Sequence, residues 1–184
     1  MIVLNQGTGG FLNPNKIIEE INLIEEGIKI ADFGCGHGYF TIPLAKKIGD
    51  TGKIYAFDIL PETLEGIHSR MKLEGIENIE TKRVNLEKEE ATGLIDNFCD
   101  IVFIANLLFQ TEKDEIIIKE AKRILKKDGY LVFIDWKPEV SLGPKGKRVS
   151  QEEIKSLMEK QGLKFEKEFF TDNYHFGLIF KKTL

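Results

Sequence analysis

Short runs rich in Ile, Val and Phe, bounded by Gly or Asp, alternate along the chain with longer segments whose apolar residues recur at helical spacing. Parallel strands joined by crossover helices produce that alternation. Strands are expected near residues 28–33, 53–58, 78–84, 100–105 and 129–135. A first helix is signalled by Asn13 as N-cap, Pro14 at the first helical position and Ile17, Ile18 and Ile21 on one face, and it should end by Gly27. A second should start near Gly38, where Pro43 is tolerated because the first helical N–H groups have no intrahelical partner. Pro61 opens a third helix with Leu64, Ile67 and Met71 as its buried stripe. Thr111, Ile116, Ile117, Ala121 and Ile124 mark a fourth, stopped by Gly129. Ser150 and Glu153 form a capping box for a last helix that carries Ile154, Leu157 and Met158 and ends at Gly162. Residues 163–170 and 174–182 then alternate apolar and polar around Thr171-Asp172-Asn173, as a hairpin does. Only 137–149, rich in Gly, Pro and Lys, remains as a long loop without periodicity.

A length of 184 residues matches one domain. Cys35 and Cys99, the only cysteines, sit in apolar stretches, which excludes a disulfide-rich scaffold and a cysteine-based zinc site; no metal is expected, and a reducing cytoplasm is the default location. No apolar run approaches the ~20 residues of a membrane span. The net charge of −4, with Lys and Glu interleaved, provides no broad footprint for nucleic acid and favours a small partner.

The candidate chemistry lies after the first strand, in Ala31-Asp32-Phe33-Gly34-Cys35-Gly36-His37-Gly38-Tyr39-Phe40. Glycines there let the backbone turn sharply and approach a ligand with no Cβ in the way. The second strand ends at Asp58, about 20 residues past this loop, where a carboxylate suits a ribose diol. Loop and acid together point to a nucleoside-containing ligand. The dinucleotide fingerprint fails, because Tyr39 stands where its last glycine belongs. Asp32 places a negative charge beside the loop, which suits a ligand with an ammonium group better than a pyrophosphate, and a zwitterionic methionine meets that condition.

Asp-x-Gly-x-Gly-x-Gly at 32–38, Asp58 after strand two and Asn85 after strand three resemble the motifs of class I S-adenosylmethionine-dependent methyltransferases. The resemblance runs over nearly the full chain and implies an α/β, Rossmann-like, doubly wound fold: a mostly parallel seven-stranded sheet with an antiparallel last strand. It divides one methyltransferase domain, 1–184, into an N-terminal arm and helix (1–27), a cofactor-binding core (28–135) and a lid loop, last helix and terminal hairpin (136–184). Gly10-Phe11-Leu12-Asn13-Pro14 and Gly143 to Ser150 resemble segments of compact, single-domain, small-molecule members. The cofactor implied is S-adenosyl-L-methionine. By the same resemblance Gly34, Cys35, Gly36 and Gly38 line its methionine part, with Asp32 toward the ammonium. Asp58 holds the ribose hydroxyls, and Ile59 and Leu60 pack on the adenosine. Asn85 stands where many members have an aspartate for the adenine amino group, and Leu86 offers a backbone N–H to that ring.

On the acceptor side, Asn106 follows strand four, and Asn106-Leu107-Leu108-Phe109 lacks the prolines of members that methylate base amines. Asp135, at the end of strand five, is a candidate general base with Trp136 as a pocket wall, and His175 at the hairpin is a third catalytic candidate. Each also has a plain structural reading as a loop cap or a locally satisfied side chain. Lys145, Lys147 and Arg148 suit an anionic acceptor, and the arm Asn5 to Phe11 with the 137–149 loop supplies a lid. The cysteines do not provide an arsenite site. The expected function is methyl transfer to a small-molecule acceptor. A non-catalytic binding module, or less readily a nicotinamide-dependent oxidoreductase, stands as the alternative.

Overall fold

The computed structural model describes residues 12–183; the expected lid arm Asn5 to Phe11 lies outside them. Seven strands, β1 (Lys29–Phe33), β2 (Lys53–Asp58), β3 (Ile79–Arg83), β4 (Cys99–Ala105), β5 (Leu125–Trp136), β6 (Leu163–Phe169) and β7 (His175–Lys182), form one sheet. Their order is β3-β2-β1-β4-β5-β7-β6. Pairing is parallel from β3 to β5, and β7 runs antiparallel to both of its neighbours. This is the doubly wound, Rossmann-like sheet with a reversed last strand that the sequence implied.

Strand residues point alternately to two faces, and both faces are apolar. Ile30, Ile54, Phe103 and Val132 pack under α1 (Pro14–Ile21), α2 (Thr41–Ile48) and α3 (Pro61–Glu74). Phe33, Phe57, Val102 and Phe133 pack under α4 (Asp114–Ile124) and α5 (Gln151–Lys160). After β3 the chain returns to lay β4 on the other flank of β1, so β1 and β4 bound the crevice where strand order reverses.

Element boundaries differ from expectation in three places. Helix α1 ends at Ile21, because Asn22 takes a left-handed conformation (φ 52°) and stops it well before Gly27. Helix α2 begins at Thr41 instead of near Gly38, since Gly36 and Gly38 both have positive φ and hold an open turn. Pro43 therefore falls in the first turn, where its missing N–H costs nothing.

Helix α4 stops at Ile124, and Gly129 lies inside β5, where a Cβ would come within 2.9 Å of the Asp100 and Lys126 carbonyl oxygens. The buried stripe of α4 uses Ile118, with Ile116 only partly covered. The early stop has a visible cause. Buried Lys182 donates from Nζ to the Lys122 and Leu125 carbonyls (2.8 and 2.7 Å) and to Asn97 Oδ1 (2.9 Å), so β7 caps the helix end. Lys182→Met should leave those acceptors unpaired and cost about 2–4 kcal/mol. Urea unfolding should show a lower midpoint at unchanged m-value; an unaltered midpoint would remove the capping role.

Candidate active site

The glycine turn is fastened to β2 from both sides. Gly34 and Cys35 donate their N–H groups to the Phe57 carbonyl at 2.9 and 3.0 Å. Gly36 N–H donates to Asp58 Oδ2 at 2.9 Å, and Leu60 N–H donates to Asp58 Oδ1 at 3.0 Å. Each carboxylate oxygen keeps a lone pair, so Asp58 can still accept from a vicinal diol.

Around this turn lies a cleft of about 470 Å³, a size that suits a small cofactor. Asp32, Gly34, Cys35, Gly36, Asp58 and Ile59 line one part, and Asn85, Leu86, Asn106 and Leu107 line another. The structure thus gathers most of the sequence-derived candidates. Gly38 lies beneath the lining, where a Cβ would meet Ile67 Cγ1 at 3.0 Å and Ile42 Cγ1 at 3.3 Å; it packs α2 against α3. A Cβ on Gly36 would meet nothing within 4 Å, so that backbone is open toward the cleft.

Asp32 is buried and accepts from the Thr41 hydroxyl at 2.6 Å. Burial pushes its carboxyl up to about 7, the Thr41 hydrogen bond opposes this, and the nearby Asp58 charge adds to it. A cation placed beside it would reverse that cost. The Cys35 thiol is pushed far up by burial and by the Asp32 and Asp58 carboxylates, which removes it as a nucleophile. His37 is exposed on the loop and lines the cleft.

Asn85 Oδ1 accepts from Glu87 N–H at 2.9 Å, leaving one oxygen lone pair and the amide N–H groups for a ligand. Asn106 takes a left-handed conformation (φ 52°), and its Oδ1 is buried without a hydrogen-bond partner. Such an orphan on a cleft wall marks a place for a ligand donor.

Asp135 and His175 lie outside the lining of this cleft. Asp135 is buried at the end of β5; burial pushes its carboxyl up to about 6 against the 2.8 Å hydrogen bond from Trp136 N–H and the charge of Arg148. His175 packs its ring 4.0 Å from that of Trp136. The 137–149 loop closes over this end of the sheet: a Cβ on Gly143 would meet the Trp136 ring at 2.6 Å, and Lys147 pairs with Asp114 at 2.5 Å. Arg148 donates from Nη2 to the Leu142 and Pro144 carbonyls, both at 3.0 Å. Lys147 and Arg148 are thus engaged within the protein rather than freely solvated.

Several contributors were not evident in the sequence. Tyr39 lines the cleft and donates its hydroxyl to the Leu12 carbonyl at 2.5 Å. Arg70 donates to the Gly38 carbonyl at 3.1 Å and braces the loop from α3. Glu87 accepts the Glu112 and Lys113 N–H groups at 2.7 and 3.0 Å, tying the Asn85 wall of the cleft to the start of α4. Among the described residues no group of three or more His, Cys, Asp or Glu is arranged to hold a metal ion. No helix among them is long and apolar enough to cross a membrane.

The family model of a methyltransferase domain matches residues 24–172. Among curated relatives, the chain is 31% identical over 109 residues to the demethylmenaquinone methyltransferase of Lactococcus lactis, covering 59% of this chain and 42% of that protein. It is 28% identical over 134 residues to the highly reducing polyketide synthase rstn3 of Aspergillus nomiae, which is 70% of this chain and 5% of the synthase. The chain therefore spans less than half the length of these curated relatives. A solved SAM-dependent methyltransferase from Aquifex aeolicus superposes with a TM-score of 0.84 at 27% identity, over 94% of this chain and 91% of that one.

Proposed function

We propose, from the premise that this chain belongs to the class I S-adenosylmethionine-dependent methyltransferase family, that it moves a methyl group by in-line displacement to a small organic acceptor. The observation that carries the reading is the joint geometry of Asp32, in β1 just ahead of the glycine turn, and Asp58, at the end of β2 and bonded to that turn through the Gly36 N–H. Asp58 retains acceptor capacity for a ribose diol, and buried Asp32 lacks only a cation to balance it. When bound, the cofactor supplies an electrophilic methyl on a sulfonium, so the protein's tasks are positioning and water exclusion.

The roles follow residue by residue. Asp32 faces the ammonium, and Gly34, Cys35 and Gly36 shape the floor beneath the methionine part. Asp58 accepts from the ribose hydroxyls. Ile59 and Leu60, both half-exposed on the cleft wall, cover the adenosine, and Asn85 with the Leu86 N–H reads its ring. Asn106 Oδ1 offers an acceptor on the β4 side. The 28–135 core holds the cofactor, and the 137–149 loop is the lid on the acceptor side. A relative named for demethylmenaquinone and the net charge of −4 favour a small organic acceptor over nucleic acid.

Calorimetric titration tests this directly. S-Adenosylmethionine and S-adenosylhomocysteine should bind at micromolar concentration, and Asp58→Ala should weaken both about tenfold to a hundredfold. Preference for a reduced nicotinamide dinucleotide would overturn the reading in favour of an oxidoreductase. Cofactor binding without transfer to any acceptor in a broad screen would favour the binding-module alternative.

A further inference from the structure

The charges lining the cleft and an orphaned oxygen on its wall together restrict what can receive the methyl. Asp32, Asp58 and Glu87 line the cleft, and among the described residues no lysine or arginine does. His37, exposed on the loop, is the only lining side chain able to carry positive charge. Cations of the flanking segments are spent elsewhere: Lys147 pairs with Asp114, Arg148 donates to two carbonyls of its own loop, and Arg83 donates to the Ile59 carbonyl at 3.0 Å. Glu87 stays ionised, because the Glu112 and Lys113 N–H groups hold its carboxyl below the usual range. An anionic acceptor, for which the sequence offers Lys145, Lys147 and Arg148, therefore meets carboxylates in this cleft and no lysine or arginine facing them.

Charge flow decides which acceptors suit such a site. Transfer to an anion cancels the sulfonium charge and discards the attraction these carboxylates supply. Transfer to a neutral nitrogen only moves the positive charge from sulfur to nitrogen within the same field. A protonated alkylamine has no lone pair, and neighbouring carboxylates hold it protonated. The nitrogen that suits this cleft is one that arrives uncharged, as a weakly basic aromatic amine does.

Asn106 gives that nitrogen a reason to carry hydrogen. Strand order runs β3-β2-β1-β4, with Asn85 and Leu86 after β3, Asp58 ending β2, Asp32 in β1 and Asn106 directly after β4. The places proposed for adenine, ribose and methionine follow the first three strands, so Asn106 is the next lining group in the row. Its backbone is held in the left-handed region (φ 52°), with its N–H on the Ile134 carbonyl at 2.9 Å. Its Oδ1 is buried without a partner. A left-handed asparagine that keeps an unsatisfied oxygen on a cleft wall serves a donor on the ligand. Thiolates and carbanions bring no donor. A hydroxyl brings one but loses it on becoming a nucleophile, and the oxyanion left behind is the charge this cleft disfavours.

Resting on the methyl-transfer reading, we propose that the acceptor is an uncharged aromatic amine with at least one N–H, and that Asn106 Oδ1 accepts that N–H and so aims the nitrogen lone pair at the methyl. The lone pair forms the new nitrogen–carbon bond, the carbon–sulfur bond breaks with its pair going to sulfur, and the positive charge passes to nitrogen. The resulting ammonium then releases its proton to water, so no base in the cleft is required.

The test uses the full chain, S-adenosylmethionine and four probes read by mass spectrometry against the uncatalysed background: aniline, N-methylaniline with one N–H, N,N-dimethylaniline with none, and thiophenolate. Aniline and N-methylaniline should be methylated, and N,N-dimethylaniline about tenfold more slowly than N-methylaniline, the worth of one hydrogen bond. Thiophenolate, intrinsically the better nucleophile but an anion without a donor, should be slower than aniline. Asn106→Gly removes the amide while glycine takes the same left-handed backbone freely. It should keep S-adenosylhomocysteine affinity within a few-fold, slow the two N–H-bearing probes about tenfold and leave N,N-dimethylaniline unchanged, a pattern that loosened packing alone would not produce. Failure to methylate aniline, a faster reaction with thiophenolate, or an equal loss on all amines in Asn106→Gly overturns the proposal while homocysteine binding persists. Loss of homocysteine binding in the wild type would instead sink the methyl-transfer reading beneath it.

Discussion

Gly36→Ala should cost S-adenosylmethionine binding about a hundredfold or more while leaving the fold nearly intact, and Gly38→Ala should do the reverse. Both residues have positive φ, 50° and 80°, so each substitution pays the left-handed penalty of ~1–2 kcal/mol. They differ in what the new methyl meets. At Gly36 it enters open space on the cleft lining, where the proposed cofactor lies close to the backbone. At Gly38 it strikes Ile67 and Ile42 at 3.0 and 3.3 Å and adds overpacking of about 1–3 kcal/mol. Calorimetry and thermal melts on the two variants separate the effects. The Gly38 variant should melt about 4–15 °C lower but bind within a few-fold if folded, by the usual scaling for a chain of this length. Equal binding losses in both variants would show that the glycines act only through loop folding.

The residues legible in the sequence are those whose role depends on neighbours along the chain. Asp32, Gly34, Gly36 and Asp58 end strands or turn the backbone, and a parallel sheet aligns such ends without further information. The capping box at Ser150 is equally local: Glu153 N–H donates to Ser150 Oγ, and Ser150 N–H donates to Glu153 Oε2. Tertiary partners were not legible. Nothing near Arg70 in the sequence says that it braces Gly38, and Lys182 reaches Lys122 across 60 positions. Gly129 misled for the same reason. A glycine after an apolar stripe usually closes a helix, but here a lysine from β7 closes it and the glycine sits at the crowded register shift between β4 and β5. Asp172 read as a turn residue, which it is; only the fold shows that its carboxylate also holds an imidazole.

With Asp32 in its proposed place beside the cofactor ammonium, binding should depend on pH in a direction set by the burial of that carboxyl. Burial, offset in part by Thr41 and reinforced by Asp58, raises its carboxyl from 3.8 to about 7, so the free protein at pH 7 carries this group about half protonated. An ammonium seated beside it favours the carboxylate, and binding then expels the proton. Affinity should rise about tenfold from pH 6 to pH 8, and calorimetry at pH 7 in buffers of different ionisation enthalpy should report about half a proton released. The same shift acts on stability. Between pH 4 and 7 the folded chain binds more protons at Asp32 than the unfolded chain, so this group's contribution falls as pH rises through that window. Asp32→Asn keeps an oxygen for Thr41 and removes the charge. The free variant should therefore be more stable than wild type at pH 8, by something on the order of a few kcal/mol, with the gap closing toward pH 4. It should also bind the cofactor more weakly and with no proton release. A variant that is less stable at pH 8, or that keeps the wild-type proton release, would place the raised carboxyl elsewhere in the cleft.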